Sequence, residues 1–290
     1  MSTQQDNDLA SLEAGLDALE VPERSHTPWW RKAASTAWPP LVAVALLLLV
    51  WELAYRAELK PTYALPSPAD VGLVLLSQLR EGTLAEAVQT SVTRGGLGFG
   101  VALAIGTPLG LLVGRVRAVR RGIGPLLSGL QSLPSIAWVP AAIIFFGLGE
   151  AAIYAVVLLG AVPSIANGMV SGIDQVPPLF LRVGRVLGAR GLSAARFVLL
   201  PAVLPAYLGG LRQGWAFSWR SLMAAELIVS SPELGLGLGR LLEQGRLLSD
   251  MSLVFAGILG ILVVGIAVEL CLFAPLERRV LRRRGLLLSS

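Results

Sequence analysis

The residues best equipped for chemistry lie close together in one apolar stretch of this 290-residue chain. Between Pro205 and Val229 stand Arg212, Trp215, Trp219, Arg220 and Glu226. At 100° per residue they share, with Ala216 and Met223, one arc of about 140° on a helix. The opposite arc holds Gly214, Phe217, Ser218, Ser221, Ala225 and Ile228, which are apolar or small. A guanidinium presents a planar fork of donors that matches an oxyanion such as sulfonate or nitrate. An indole can pack on a short alkyl chain or on the guanidinium itself. A charge within hydrocarbon costs about 2.5–3.5 kcal/mol on insertion scales, so these groups must face protein or water. Two readings stand. Either the face lines a path for anions, or an ion-pair network, Arg220–Glu226 or Arg212-centred, pins the helix to its neighbours.

Other chemistries are excluded by counting. There is one histidine, His26, and one cysteine, Cys271, which removes paired-histidine metal sites, thiol clusters and intrachain disulfides. The lysines are Lys32 and Lys60, and neither follows a glycine, so the chain has no phosphate-binding P-loop and holds no cofactor of its own. Hydrophobic residues make up 54% of the chain and charged residues 15%, with a mean hydropathy of +0.68. A soluble domain carries about 25% charge. The apolar residues come in blocks of about 20, the length that crosses about 30 Å of hydrocarbon. The fold class is an all-α polytopic membrane protein. The net charge of +5 is carried between apolar blocks and is no sign of nucleic-acid binding.

Six spans are expected: 38–55, 84–113, 125–146, 151–170, 205–229 and 253–275. Basic residues cluster before the first (Arg24, Arg31, Lys32), between the second and third (Arg115, Arg117, Arg120, Arg121), between the fourth and fifth (Arg182, Arg185, Arg190, Arg196), and after the sixth (Arg278, Arg279, Arg282, Arg283, Arg284). The other side has Arg56, Lys60, Arg80, Arg240 and Arg246. The positive-inside rule puts both termini in the cytoplasm. The organisation is a tail over 1–37, a membrane domain over 38–276 and a basic tail over 277–290. Within the first tail, Leu9, Leu12, Leu16 and Leu19 have helical spacing, consistent with a solvated segment or one resting on a partner. The N-terminus begins acidic and is not a signal peptide.

Span two repeats a small residue every four positions: Gly98, Ala102, Gly106, Gly110 and Gly114. Such a ridge permits close helix packing. Pro108 should bend this span, Pro134 and Pro140 should distort span three, and Pro163 span four. Arg94, at the outer edge of span two, either reaches the interface or adds to a basic outer vestibule. Glu52 and Glu269 are expected to pair locally or reach headgroups. Residues 241–248 are read as a short outer helix.

The segment between spans four and five, 176–201, predicts a basic helix–turn–helix. Pro177 and Pro178 suit a helix start, Gly188 and Gly191 break it, and Ser193 can cap a second helix. This segment resembles the coupling loop of ABC importer permeases of the binding-protein-dependent family, whose pattern is E-A-A-x3-G-x9-I-x-L-P. The triplet falls on Arg182-Val183-Gly184, the glycine on Gly188 (followed by Ala189 and Arg190), the Ile position on Val198, and the close on Leu200-Pro201. Arg182 stands where the family has Glu. The resemblance spans about residues 38–280. Leu65-Pro-Ser-Pro68, Arg94, Leu133-Pro-Ser135, Phe146-Gly-Leu-Gly-Glu150 and the stretch Gly210–Glu226 are similar to the nitrate/sulfonate/taurine/bicarbonate branch, and the last is closest to aliphatic sulfonate permeases.

The resemblance implies a type I importer fold in a bacterial plasma membrane. It implies two permease copies, a cytoplasmic ATPase dimer that binds ATP and magnesium, and an extracytoplasmic substrate-binding protein. The implied cargo is a small oxyanion, an aliphatic sulfonate or taurine first, with nitrate, bicarbonate or a small heterocycle as alternatives. An ion-driven secondary transporter would usually need ten or more spans or an inverted repeat, and no repeat is visible. A membrane enzyme would need a carboxylate pair or a Ser/His constellation, which the chain lacks.

Overall fold

The computed structural model describes residues 29–61 and 63–283. The leucines at 9–19 and Arg284 lie outside them. The chain divides into two units, at Ala57/Glu58. The first contains helix α1 (Trp29–Arg56), with Pro39 and Pro40 inside it. Its run of leucines from Leu46 to Leu49 is apolar enough for a helix that crosses hydrocarbon. Glu52 pairs with Arg56 one turn on, at 2.6 Å, the local pairing expected of it.

The second unit begins with α2 (Pro68–Arg80). The Leu65-Pro-Ser-Pro68 motif is its start signal. Ser67 Oγ accepts from the Asp70 amide at 3.0 Å, the Ser67 amide donates to Asp70 Oδ2 at 3.3 Å, and Pro68 fills the first helical position. There follow α3 (Thr83–Arg115), α4 (Arg117–Ser132), a short 3₁₀ turn (Ser135–Trp138), α5 (Val139–Phe146) and α6 (Glu150–Asp174). Then come α7 (Pro178–Val186), a helical turn (Gly191–Ala194), a π-helical segment (Ala195–Leu199) and α8 (Leu200–Ile228). The chain closes with α9 (Leu238–Leu247), α10 (Met251–Val268), a second π-helical segment (Glu269–Phe273) and α11 (Ala274–Arg283).

Among the described residues four helical stretches are long and apolar enough to cross a membrane: 38–56, 83–115, 150–174 and 251–282. The third expected span is not one straight helix. At Leu133-Pro134 the chain turns by 103° between α4 and the segment Ser135–Phe146. Pro134 supplies a cause: it lacks an amide hydrogen to continue the ladder and holds Leu133 extended, while Pro140 sits in the first turn of α5, where it is tolerated. The fifth expected span is the 29-residue α8, which is long enough but carries Arg212, Arg220 and Glu226 and is not apolar enough to be counted with the four. Pro163 sits inside a continuous α6.

Helix α6 is the centre of the unit, with α3 along one side and α8 along another. The small-residue ridge of α3 explains the first contact. A Cβ at Gly98 would stand 2.8 Å from Val157 Cγ1, one at Gly106 3.0 Å from Ile165 Cβ, and one at Gly110 2.6 Å from the Ala166 carbonyl oxygen. Ala102 between them is fully buried. The helices meet at a distance that side chains larger than these would prevent. At the second contact Gly168 and Gly210 face each other backbone to backbone. Replacing Gly210 by Ala is expected to destabilise the protein by about 1–3 kcal/mol, the usual cost of overpacking. Thermal unfolding in detergent would read this as a lower midpoint, and a Gly210→Ala protein with an unchanged midpoint would contradict the packing described.

Candidate functional site

The loop between α6 and α8 is built by two glycines with different tasks. The end of α7 closes with the Gly188 amide on the Arg185 carbonyl (3.1 Å) and the Ala189 amide on the Gly184 carbonyl (2.8 Å). This is the Schellman pattern, which needs a left-handed residue after the helix. Gly188 supplies it with φ +84°. Gly184 acts through space: a Cβ there would meet Val198 Cγ2 at 2.8 Å. The bare backbone of α7 therefore sits against Val198, in the π-helical segment that leads into α8. The spacing of Gly184, Gly188, Val198 and Leu200-Pro201 is thus the spacing of one seated helix, its stop and the root of the next helix. The second helix starts at Gly191, so Ser193 lies inside its first turn and is not its cap. Three-residue and four-residue bonds from the Ser193 and Ala194 amides to the Arg190 carbonyl account for this.

The outer face of this element is apolar and basic together. Leu179, Phe180, Val183, Val186, Leu187 and Phe197 are exposed, Val186 to 87%. Arg182, Arg185, Arg190 and Arg196 are exposed among them. A groove of about 410 Å³ runs between Leu179, Val183 and Leu187 on one side and Phe197 and Pro201 on the other. Beside it Arg120, in the first turns of α4, makes a two-pronged pair with Asp174 at the end of α6 (2.7 and 2.6 Å). The hydrogen bonds from Arg120 to Asp174, and then the Asp174 charge, raise the Arg120 pKa above its ordinary value.

Arg94 and the charged residues of α8, Arg212, Arg220 and Glu226, fall into three places. Arg94 is 4% exposed and Glu226 1%. Their side chains pair at 3.2 Å. Arg94 also donates to Glu150 at 3.1 Å and to the Leu234 carbonyl. Glu226 accepts from Ser91 Oγ at 2.7 Å and from the Gly239 amide at 3.1 Å, and Ser91 Oγ accepts from the Leu238 amide at 2.9 Å. Arg94 therefore reaches neither the interface nor an open vestibule: its charge is met inside the protein, where burial without partners would be costly. One hub ties together α3, α8, the start of α6 and the loop that begins α9.

Trp215 and Trp219 are buried as well, stacked at 5.9 Å, with Phe99 edge-on to Trp215 at 5.5 Å. The arc drawn from sequence is thus divided. Its indoles and carboxylate turn inward, and its guanidiniums turn outward. Arg212 pairs with Glu269 and, at 3.1 Å, with Glu277, which realises the Arg212-centred network; Glu269 thus pairs across 57 positions and not locally. Arg220 does not pair with Glu226. It donates to the Ala216 carbonyl at 3.1 Å and lies over the Phe217 ring at 4.6 Å. Arg220 is exposed and makes no ion pair among the described residues.

Sequence reasoning missed Ser91, Glu150 and the Leu234 carbonyl as members of the hub. Ser91 lies three residues before Arg94 and so shares its helix face, a signal that was available. Glu150 opens α6 just after Gly147, whose φ of +78° turns the chain back.

The description "Binding-protein-dependent transport system inner membrane component" matches residues 106–282. The chain is 31% identical over 242 residues to the taurine transport system permease protein TauC of Escherichia coli K12, covering 82% of this chain and 86% of that protein. It is 30% identical over 272 residues to the nitrate import permease protein NrtB of Synechocystis, covering 88% and 94%. In fold it is similar to a chain of the inward-facing MetNI methionine ABC transporter, with a TM-score of 0.60, 19% identity, and 68% and 95% of the two chains covered. A seated loop helix, a helical bundle with a charged eighth helix and these likenesses agree: the chain belongs to the binding-protein-dependent inner membrane components and is an ABC importer permease subunit, a transporter component of the plasma membrane and not an enzyme, in the nitrate/sulfonate/taurine/bicarbonate branch.

Proposed function

We propose that this subunit, paired with a second copy of itself, forms the membrane pathway of an importer for aliphatic sulfonates or taurine, and that residues 176–201 carry the stroke of a cytoplasmic ATPase dimer to it. One observation carries the coupling role. The α7 helix packs closely on Val198 through Gly184 and is stopped by Gly188, while its apolar and basic outer face is left uncovered within the chain. A closely packed helix with an exposed face suits transmission of rigid-body motion. The chain crosses six times in this reading, with α4–α5 and α8 as its third and fifth spans, and both termini are cytoplasmic by the distribution of arginines.

The choice of sulfonate is supported by the taurine permease among the relatives, and the wider choice of an oxyanion by Arg220. An exposed guanidinium at membrane depth must face water or protein. Arg220 on the path would attract a sulfonate, since its contacts with the Ala216 carbonyl and the Phe217 ring leave most of its donors free. Replacing Arg220 by Ala is expected to lower uptake at least about tenfold, the worth of one charge-assisted hydrogen bond, with unchanged expression and thermal midpoint. Arg220→Ala uptake at the normal rate would remove the residue from the path. The substrate itself is tested by growth of a deletion strain. Loss of growth on taurine or an alkanesulfonate as sole sulfur, with normal growth on nitrate as sole nitrogen, is the expected result. Failure on nitrate alone would replace sulfonate by nitrate.

A further inference from the structure

The last helix carries an amphiphilic stripe that the transport reading does not use. Leu262, Ile266, Leu270, Ala274, Arg278 and Arg282 follow one another at intervals of four. Leu262, Ile266 and Leu270 are exposed, Leu270 to 62%. From Leu270 onward the stripe borders a shallow surface groove of about 430 Å³ along the same helical stretch, lined by Leu270, Ala274, Pro275, Arg278, Arg279 and Arg282. The groove is apolar where the helix leaves the membrane and basic one turn further on.

Its charge is uncompensated. The single acid of α11, Glu277, is turned to Arg212. Arg278, Arg279 and Arg282 have no ion-pair partner among the described residues. Three guanidiniums at the edge of an apolar wall match one kind of molecule: an amphiphile with an anionic phosphate head and hydrocarbon tails. We propose that this groove binds an anionic phospholipid of the cytoplasmic leaflet, its phosphate held by Arg278, Arg279 and Arg282 and an acyl chain laid along Leu270, Ile266 and Leu262. The bound lipid would brace α11, which Glu277 and Arg212 tie to the pathway helix α8. The inference rests on the orientation read from charge and not on the identity of the cargo.

The test is lipid titration of the delipidated full transporter, read by native mass spectrometry. The lipids are phosphatidylglycerol and phosphatidylcholine, with inorganic phosphate as a competitor. The wild type should prefer phosphatidylglycerol at least about tenfold. Each arginine near the surface contributes about a fivefold factor, so R278Q/R279Q/R282Q should abolish the preference, while Arg80→Gln on the opposite side should leave it intact. If the triple variant does not assemble, the three single variants should each weaken the preference in steps. Equal binding of both lipids by the wild type, or a preference that survives loss of the three arginines, would overturn the proposal. Competition by millimolar phosphate would reassign the groove to a free anion. A preference that emerges only on deletion of residues 2–23 would give it to the acidic tail. Loss of the ATPase from the triple variant with the lipid preference kept would give it to the ATPase. The side of the membrane on which residues 176–201 lie is read separately, by thiol labelling, so a wrong orientation is distinguishable from a wrong ligand.

Discussion

Replacing Glu226 by Ala should cost the fold about 3–5 kcal/mol, the usual penalty for breaking one side of a buried pair. The carboxylate receives three donors: Arg94, Ser91 Oγ and the Gly239 amide. Removing it leaves the guanidinium of Arg94 with Glu150, half-exposed at the start of α6, as its remaining counter-charge. It also opens space against Gly237, where a Cβ would fall within 2.6 Å of the Glu226 carboxylate carbon. The expected readout is a large drop in thermal midpoint and in yield of monodisperse protein. Arg94→Ala should be similarly damaging, because Glu226 would then be buried without a cation. The pair as a whole is a different matter. Replacing both residues by apolar ones of similar size removes the uncompensated charge, so R94M/E226L should be less damaging than the sum of the singles. Coupling of about 0.5–3 kcal/mol is the normal range for groups in direct contact. If Glu226→Ala kept the wild-type midpoint, the hub would not hold the outer loop to α3 and α8.

The second large effect is expected at Gly184, and it is functional more than thermodynamic. A valine there would bring its Cβ to 2.8 Å from Val198, with two further methyl carbons beyond it. Val198 cannot yield far, because the neighbouring Ala195 and Leu199 are buried at 2% exposure each. The strain is relieved most cheaply by tilting α7, a nine-residue helix at the edge of the unit. Gly184→Val is therefore expected to leave the bundle folded and to cut uptake at least about tenfold, since misplacement by about 1 Å is enough for such losses. ATP hydrolysis by the reconstituted complex should no longer respond to substrate. Val198→Ala removes the obstructing methyl carbons, so G184A/V198A should transport better than Gly184→Ala alone. Gly184→Val with normal coupled hydrolysis would show that the seat of α7 is not part of the coupling path.

What was legible in the sequence differs from residue to residue for physical reasons. The ridge from Gly98 to Gly114 could be read because close helix approach restricts residue type at a fixed spacing. Gly188 could be read as a helix stop from its residue type, whereas Gly184 was placed only by the family pattern and its contact with Val198 needed the tertiary structure. Leu65-Pro-Ser-Pro68 is a local start signal and needs no tertiary knowledge. The hub around Arg94 was beyond such reasoning, because its partner Glu226 lies 132 positions away and nothing local marks it. The arc on α8 was drawn correctly as an arc but treated as one surface. An indole is mostly apolar body, and Trp215 and Trp219 buried theirs against Phe99, while the long side chains of Arg212 and Arg220 reached outward. The prolines around Ser135 announced a distortion. Its size, a turn of 103° between two segments that both pack on α6, is not written in the local sequence.

The central claim is that residues 176–201 meet an ATPase on the cytoplasmic side. Val186 is the most direct place to test it, being 87% exposed on α7 and not needed for the packing of that helix. The experiment places Val186→Cys in a chain whose native Cys271 is replaced by Ser, in membranes that contain the partner subunits, and applies a short thiol-reactive crosslinker. The expected result is one adduct between this subunit and the ATPase, blocked by labelling from the cytoplasmic side and insensitive to labelling from outside. A cysteine at 186 that is labelled from outside, or that forms no adduct with an ATPase that nevertheless co-purifies, would contradict the account.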